Sequence, residues 1–426
     1  MQTLQLVILT VLVFFVIVSI HEFGHYFFAR RAGILVREFA IGFGPKLLSF
    51  KRGETRFTLR LLPFGGFARM AGEDPEMSLV QRGYIVAVEE ENGLVKRIVL
   101  DKPEEQAGLR RGEVRAVDLE KDLFIELADE YGASVRLPVH PKAMVVHRGE
   151  ETQIAPLDRQ FLYKPVGKRA MAIFAGPLMN FVLAFVLFGV VLQMTGVPDE
   201  NSDKVFIGGI AAREDGQPSP AEKAGLREGD WIKAIDGKPV GGDIDALVDT
   251  IGASAGRPMR WVIVRDGREM TLTVTPDPET GKVGFYPMPE MRAATAGETV
   301  RYAGMQMVQW TDLIFQGFRQ LVTGNFRLDD IGGPVKTTQV TYEVASQGLD
   351  RLVAWTAVLS LYLGIFNLLP IPALDGSRLL FLGFEALRGR PVNPNRESMV
   401  HLIGFAMLML LMLVVTYNDI LGLVRR

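Results

Sequence analysis

The chain has 426 residues, 48% of them hydrophobic and 23% charged, with a net charge of −2. That mixture suits a protein divided between lipid and water, and a balance so near neutral argues against nucleic acid as a bulk electrostatic partner. There is no cysteine, which excludes disulfides, thiolate metal sites and a cysteine nucleophile, so any metal site must draw on Asp, Glu and only five His.

The first predicted element, residues 1–35, is a membrane-spanning helix. Leu4–Ile20 is an uncharged run of 17 residues, which as a helix covers about 26 Å of a hydrocarbon layer ~30 Å thick. A secretory leader is the alternative, but no basic stretch precedes the run, no small-residue cleavage pattern follows, and the helix continues into HEFGH, His21–His25. In this H-E-x-x-H pattern the two histidines lie one helical turn apart on the same face, so both imidazoles reach one zinc ion. Glu22 beside them can take a proton from the attacking water and pass it to the leaving amine. Two His and a Glu at the end of a spanning helix are costly to bury unless they function. The plainer alternative is a pair of hydrogen-bonded histidines closing a helix end.

Residues 36–75 alternate apolar and polar types (VREFAIGFG, TRFTLRLLPFGGFARM) about a turn at Lys51–Glu54, the pattern of short β-hairpins lying against or dipping into the membrane. Residues 76–165 are charged and strand-like (YIVAVEE, LVKRIVL, KAMVVHR) and read as a cytoplasmic β-rich insert. A second span is expected over 170–195. Residues 200–290 follow as an outer domain whose stretch SPAEKAGLREGDWIKAIDGKPV, Ser219–Val240, is similar to a PDZ domain. Such domains add an extended peptide end to a sheet edge, and Gly208, Gly209 and Ile210 are the candidate loop for that end. The segment QAGLRRGEVRAVD, Gln106–Asp118, echoes KAGLREGDWIKAID, but a span between the two puts them on opposite faces and no second PDZ unit is inferred. Residues 296–325 carry Val300, Gly304, Met307, Trp310, Ile314, Phe318 and Leu321 at helical spacing, an amphipathic helix for the outer membrane surface or for packing on the outer domain.

The third span, 352–376, ends in NLLPIPALDG, where Pro370 and Pro372 break the helix. The fourth is 398–421. A catalytic zinc wants three protein ligands and an open position. His140 and His147 belong to the insert and His401 stands alone at the start of the last span, so Asp375 is the better third ligand, brought sideways by the irregular stretch. The competing reading makes Asp375 a helix cap. Lys and Arg set the orientation: Arg30, Arg31 and Arg37 after the first span, Lys164, Lys168 and Arg169 before the second, Arg378, Arg388, Arg390 and Arg396 before the fourth. Both of these connections read as cytoplasmic, which places both termini outside, although Arg425 and Arg426 argue weakly the other way.

HEFGH in the first span, AGPLMN (Ala175–Asn180) in the second, a PDZ-like outer domain and NLLPIPALDG after the third together resemble the site-2 protease family, and most closely a bacterial group within it. The resemblance implies a polytopic α-helical protein of the bacterial cytoplasmic membrane that cleaves transmembrane segments of other membrane proteins, such as anti-sigma factors or signal-peptide remnants, after an outside site-1-type protease has trimmed them. It implies zinc held by His21, His25 and Asp375, Glu22 as base, and Asn367 holding substrate or steadying the oxyanion. One PDZ-like unit and the large insert depart from members with two PDZ units. A helical substrate must be unwound before attack. The hairpins can hold it extended by edge pairing, with Gly65, Gly66 and Phe67 as candidate contacts. The main rivals are an ion transporter, which would show repeated halves, and a membrane scaffold, which would have no use for Glu22.

Overall fold

The computed structural model describes residues 2–73, 79–128, 133–211, 217–324 and 332–424. The expected boundary at 75/76 and the expected helix end at 325 lie outside the described residues. The chain begins with α1 (Gln2–Arg31), β1 (Val36–Arg52) and β2 (Thr55–Met70). Then come β3 (Ile85–Glu91), β4 (Leu94–Val99), β5 (Arg110–Asp118), β6 (Phe124–Ala128), β7 (Ser134–His147) and β8 (Glu150–Gln153). After α2 (Val166–Thr195) follow β9 (Val197–Pro198), β10 (Val205–Ile210), α3 (Pro220–Lys223), β11 (Trp231–Ile235), β12 (Lys238–Pro239) and α4 (Ile244–Gly252). The remaining strands are β13 (Met259–Arg265), β14 (Arg268–Val274), β15 (Phe285–Pro289) and β16 (Met291–Arg292). Five helices close the chain: α5 (Ala296–Thr323), α6 (Pro334–Gln347), α7 (Leu349–Asn367), α8 (Asp375–Arg388) and α9 (Pro394–Val424). They form two compact units, residues 1–188 with 304–426, and residues 189–303.

Among the described residues four helices are long and apolar enough to cross a membrane, Thr3–Arg31, Val166–Thr195, Leu349–Asn367 and Asn395–Leu423. The last exposes Leu402, Ile403, Phe405, Met407, Leu410 and Leu413, a surface that only lipid would cover at no cost. Small residues let these helices approach closely. A Cβ on Gly24 of α1 would lie 2.2 Å from the Ala175 carbonyl oxygen of α2, and one on Gly364 of α7 would lie 2.9 Å from the Phe181 ring. Ser360 of α7 donates to the Asn180 carbonyl of α2 at 2.9 Å, so a buried hydroxyl is satisfied across the helix pair. Helix α6 is not foreseen in the sequence, whereas α8 begins at Asp375, where the cap reading of that residue expects a helix.

The hairpin is more elaborate than two facing strands. Phe39, Ala40 and Ile41 of β1 pair on one side with Phe57, Thr58 and Leu59, and on the other with Ala68, Phe67 and Gly66. Leu48, Ser49 and Phe50 pair back to Leu59, Thr58 and Phe57. The outcome is four extended segments in the order 66–70, 36–41, 55–60, 46–52, with 66–70 at one edge. Gly42, Gly44 and Gly65 take positive φ where the ribbon doubles back, which bulkier residues resist.

Strands β3 to β8 form a separate sheet in which β4 also pairs in parallel with β7, closing a ring of five strands round Val86, Val88, Ile98, Val114 and Ile125. In the second unit the order is β14-β13-β11-β10-β15, an open sheet, over a core centred on Trp261. The echo between Gln106–Asp118 and the outer domain therefore does not extend to topology. Short strands β9 and β16 of this unit pair with each other. Ser219 and Glu222 form a reciprocal capping box on α3. Arg265 grips the buried Asp230 with two bonds of 2.7 and 2.8 Å, pinning the Gly-Asp turn. Gly208, Gly209 and Ile210, expected as a loop, lie instead on β10. Gly209 and Ile210 pair with Tyr286 and Phe285 of β15, because alternating Val205, Ile207 and Gly209 bury one face of a strand. The edges of this sheet's main path are β14 and β15.

Candidate metal centre

Helix α1 holds His21 and His25 one turn apart, and the break in helix after α7 returns Asp375 to them. Nε2 of His21 and Nε2 of His25 are 3.2 Å apart and lie 3.3 and 3.4 Å from Oδ2 of Asp375. Both imidazoles are buried. Nδ1 of His25 stands 2.9 Å from the Ala172 carbonyl oxygen of α2. A carbonyl only accepts, so this nitrogen carries the proton and leaves the Nε2 lone pair free. Nδ1 of His21 is 3.3 Å from the side-chain nitrogen of Asn180, while the Asn180 oxygen is buried with no partner. With the amide turned end for end, Oδ1 accepts from His21 Nδ1–H, which leaves the His21 Nε2 lone pair free. Two lone pairs and a carboxylate oxygen converge, and that oxygen, buried, has no hydrogen-bond partner.

Three such acceptors repel one another unless a cation lies between them. Separations of 3.2–3.4 Å match the ~3.3 Å edges of a tetrahedron with ligand lengths of ~2.0–2.1 Å, and an N,N,O set suits zinc. Among the described residues, His21, His25 and Asp375 are the group that can hold a metal ion. A cap role for Asp375 finds no support, since no side chain caps α8, of which it is the first residue.

Glu22 is buried beside this cluster. The Ala68 backbone lies beside its carboxylate, and a Cβ on Gly66 would lie 2.8 Å from Glu22 Cγ. The edge segment 66–70 of the hairpin thus runs directly past Glu22, and Arg60 and Arg69 flank the Phe67 ring at 5.2 and 5.5 Å. Gly65 supports this path with φ +77°. Asn367, at the end of α7, turns its side chain back to the Leu363 carbonyl at 3.0 Å and is not one of the three clustered groups. The sequence reading missed Gly176 and Asn180 as parts of the site, although both lie in AGPLMN. An asparagine within a span is itself a signal, since burying an amide there demands a partner.

The span 9–411 of this chain matches the family model described as peptidase family M50. The zinc metalloprotease RasP of Geobacillus kaustophilus (strain HTA426) is 44% identical over 426 residues, covering 98% of this chain and 98% of its own. The regulator of sigma-W protease RasP of Bacillus subtilis (strain 168) is 43% identical over 425 residues, covering 97% and 98%. The probable protease eep of Enterococcus faecalis (strain ATCC 700802 / V583) is 38% identical over 430 residues, covering 98% and 99%. With four apolar helices, a histidine pair facing a carboxylate and these relatives, the chain belongs to peptidase family M50, the site-2 proteases, and is a multi-pass membrane zinc metalloprotease.

Proposed function

We propose that this protease cleaves transmembrane segments of other membrane proteins from within the bacterial cytoplasmic membrane, once an outside protease has shortened them. The observation that carries the reading is the edge segment 66–70 passing Glu22 next to the histidine–aspartate cluster. Its partner Val36–Ile41 occupies one side, and the other side has no strand neighbour among the described residues. An unwound substrate pairing there would present an extended backbone to the base, with Gly65, Gly66 and Phe67 shaping the contact.

His21, His25 and Asp375 would hold the zinc, which when bound would supply Lewis-acid chemistry toward the scissile carbonyl and the attacking water. Glu22 takes the proton of the attacking water and returns it to the departing amine. The Ala172 carbonyl and Asn180 hold the imidazole planes. Asn367 is assigned to substrate or oxyanion contact, which requires its side chain to leave Leu363 when substrate enters.

The basic residues that follow HEFGH and flank α8 support an active site opening to the cytoplasm, with both termini outside. Residues 200–290 are assigned as an outer PDZ-like filter, and β15, an edge strand next to α4, replaces Gly208–Ile210 as the place where a freed peptide end would add. The name of the Bacillus subtilis relative, a regulator of sigma-W protease, supports anti-sigma factors as one substrate class. Glu22→Gln in purified protein tests the chemistry: cleavage of a trimmed transmembrane substrate should fall at least ~10³-fold while zinc stays bound. Near-normal turnover would sink the assignment.

A further inference from the structure

Between α7 and α8 the chain carries Asp375 into place through the irregular residues 368–374. Within them Ala373 has φ +78°, the left-handed conformation that an L-residue with a Cβ avoids and glycine accepts freely. An alanine stays there only if its surroundings hold it. Its amide leaves the segment altogether and donates to Nδ1 of His401, in the first turns of α9, at 3.1 Å. Because an amide N–H only donates, Nδ1 is the bare nitrogen of this imidazole. The proton sits on Nε2, which faces the Glu397 carboxylate at 3.9 Å.

The rest of the surroundings lock the imidazole and the segment together. The Phe381 ring of α8 meets the His401 ring edge-on at 5.7 Å. One turn further along α9, Gly404 lies so close under Pro372 that a Cβ there would be 2.2 Å from the proline Cβ. The fourth span thus grips two consecutive residues, Pro372 and Ala373, just before Asp375. His401 itself is outside the group that can hold the metal.

We infer that His401 is a positioning residue for the metal centre: by accepting the Ala373 amide it keeps that residue left-handed and so aims the Asp375 carboxylate at His21 and His25. The inference rests on Asp375 being the third zinc ligand.

Zinc affinity of the full-length, detergent-purified protein, measured by chelator competition beside cleavage of a trimmed substrate, tests it. His401→Ala should weaken zinc retention about 10–100-fold, the usual cost of losing a group that orients a ligand. His401→Asn, whose amide oxygen can stand where Nδ1 stood, should remain near wild type. Adding Ala373→Gly to His401→Ala should recover most of the loss, because glycine needs no clamp to reach this backbone conformation. Wild-type zinc affinity in His401→Ala, set against a loss in Asp375→Ala, would overturn the role of His401 alone. A loss that Ala373→Gly leaves unrepaired would do the same, by pointing to general packing. Zinc bound normally by Asp375→Ala would instead remove the ligand on which the inference depends.

Discussion

A methyl group on Gly176 would stand 2.2 Å from Nε2 of His25 and 2.9 Å from Cε1 of His21. The obstacle is a buried pair of ring positions that cannot move without losing the metal geometry. Gly176→Ala should therefore abolish zinc binding and activity together, with a stability loss of about 1–3 kcal/mol from overpacking. Gly167→Ala in the same helix, where a Cβ would meet nothing within 4 Å, should leave both unchanged. Metal content and melting temperature of the two purified variants check this pair. At this scale His21, Glu22 and His25 are legible in the sequence because one helical turn brings the two histidines to the same face with Glu22 beside them. Asp375 is legible because two prolines forbid the helix from continuing. Gly176 and Asn180 are harder to read, since their roles exist only where α1 and α2 cross.

The doubled hairpin and the insert are fastened to each other by Glu54, which takes two bonds from Arg159 at 2.6 and 2.9 Å and one from Gln153 at 2.8 Å. Arg159 above all, with Gln153 and Lys142, draws the Glu54 carboxyl from 4.5 down to about 2. A carboxylate lowered by folding contributes stability that is complete above its unfolded pKa. The contribution fades as pH falls from about 4.5 toward 2. The group is partly exposed, so solvent screening reduces the contribution to about 1 kcal/mol. Thermal unfolding of Glu54→Gln should therefore occur below wild type at pH 7, by about 1 kcal/mol, and the two curves should converge only as pH falls to about 2. A constant difference across that range would refute the ion-pair account. Strand character in residues 36–70 is plain from period-two alternation, but alternation does not say that β1 pairs on both of its sides. That requires the glycine turns to close in three dimensions, and it decides which segment becomes the free edge beside Glu22.

For the molecule as a whole, the sheet order of residues 189–303 defines how the proposed outer filter should be removed. Excising 205–276 would leave β15 without β10. Residues 199–290 are the better excision, because Val197 and Pro198 already pair with Arg292 and Met291 and a two-residue Asn-Gly turn can join them. If the unit filters substrates and takes no part in the chemistry, the shortened protein should cut a trimmed substrate within about twofold of the wild-type rate and should also admit untrimmed ones. Loss of cleavage by a shortened protein that still binds zinc would give the unit a role beyond filtering.

The sequence alone determined the four apolar spans, the H-E-x-x-H pair and the proline-broken approach to Asp375, and with them the zinc protease chemistry. Each of these is local, written in hydropathy, helical period or the absence of a proline N–H. Tertiary structure alone decided the free edge at 66–70, the second-unit edge at β15, the Ala172 and Asn180 contacts that fix the two imidazoles, and the grip of α9 on Pro372 and Ala373. These depend on which distant segments meet, as His21 and Asn180 do, and no periodicity within either segment encodes that meeting.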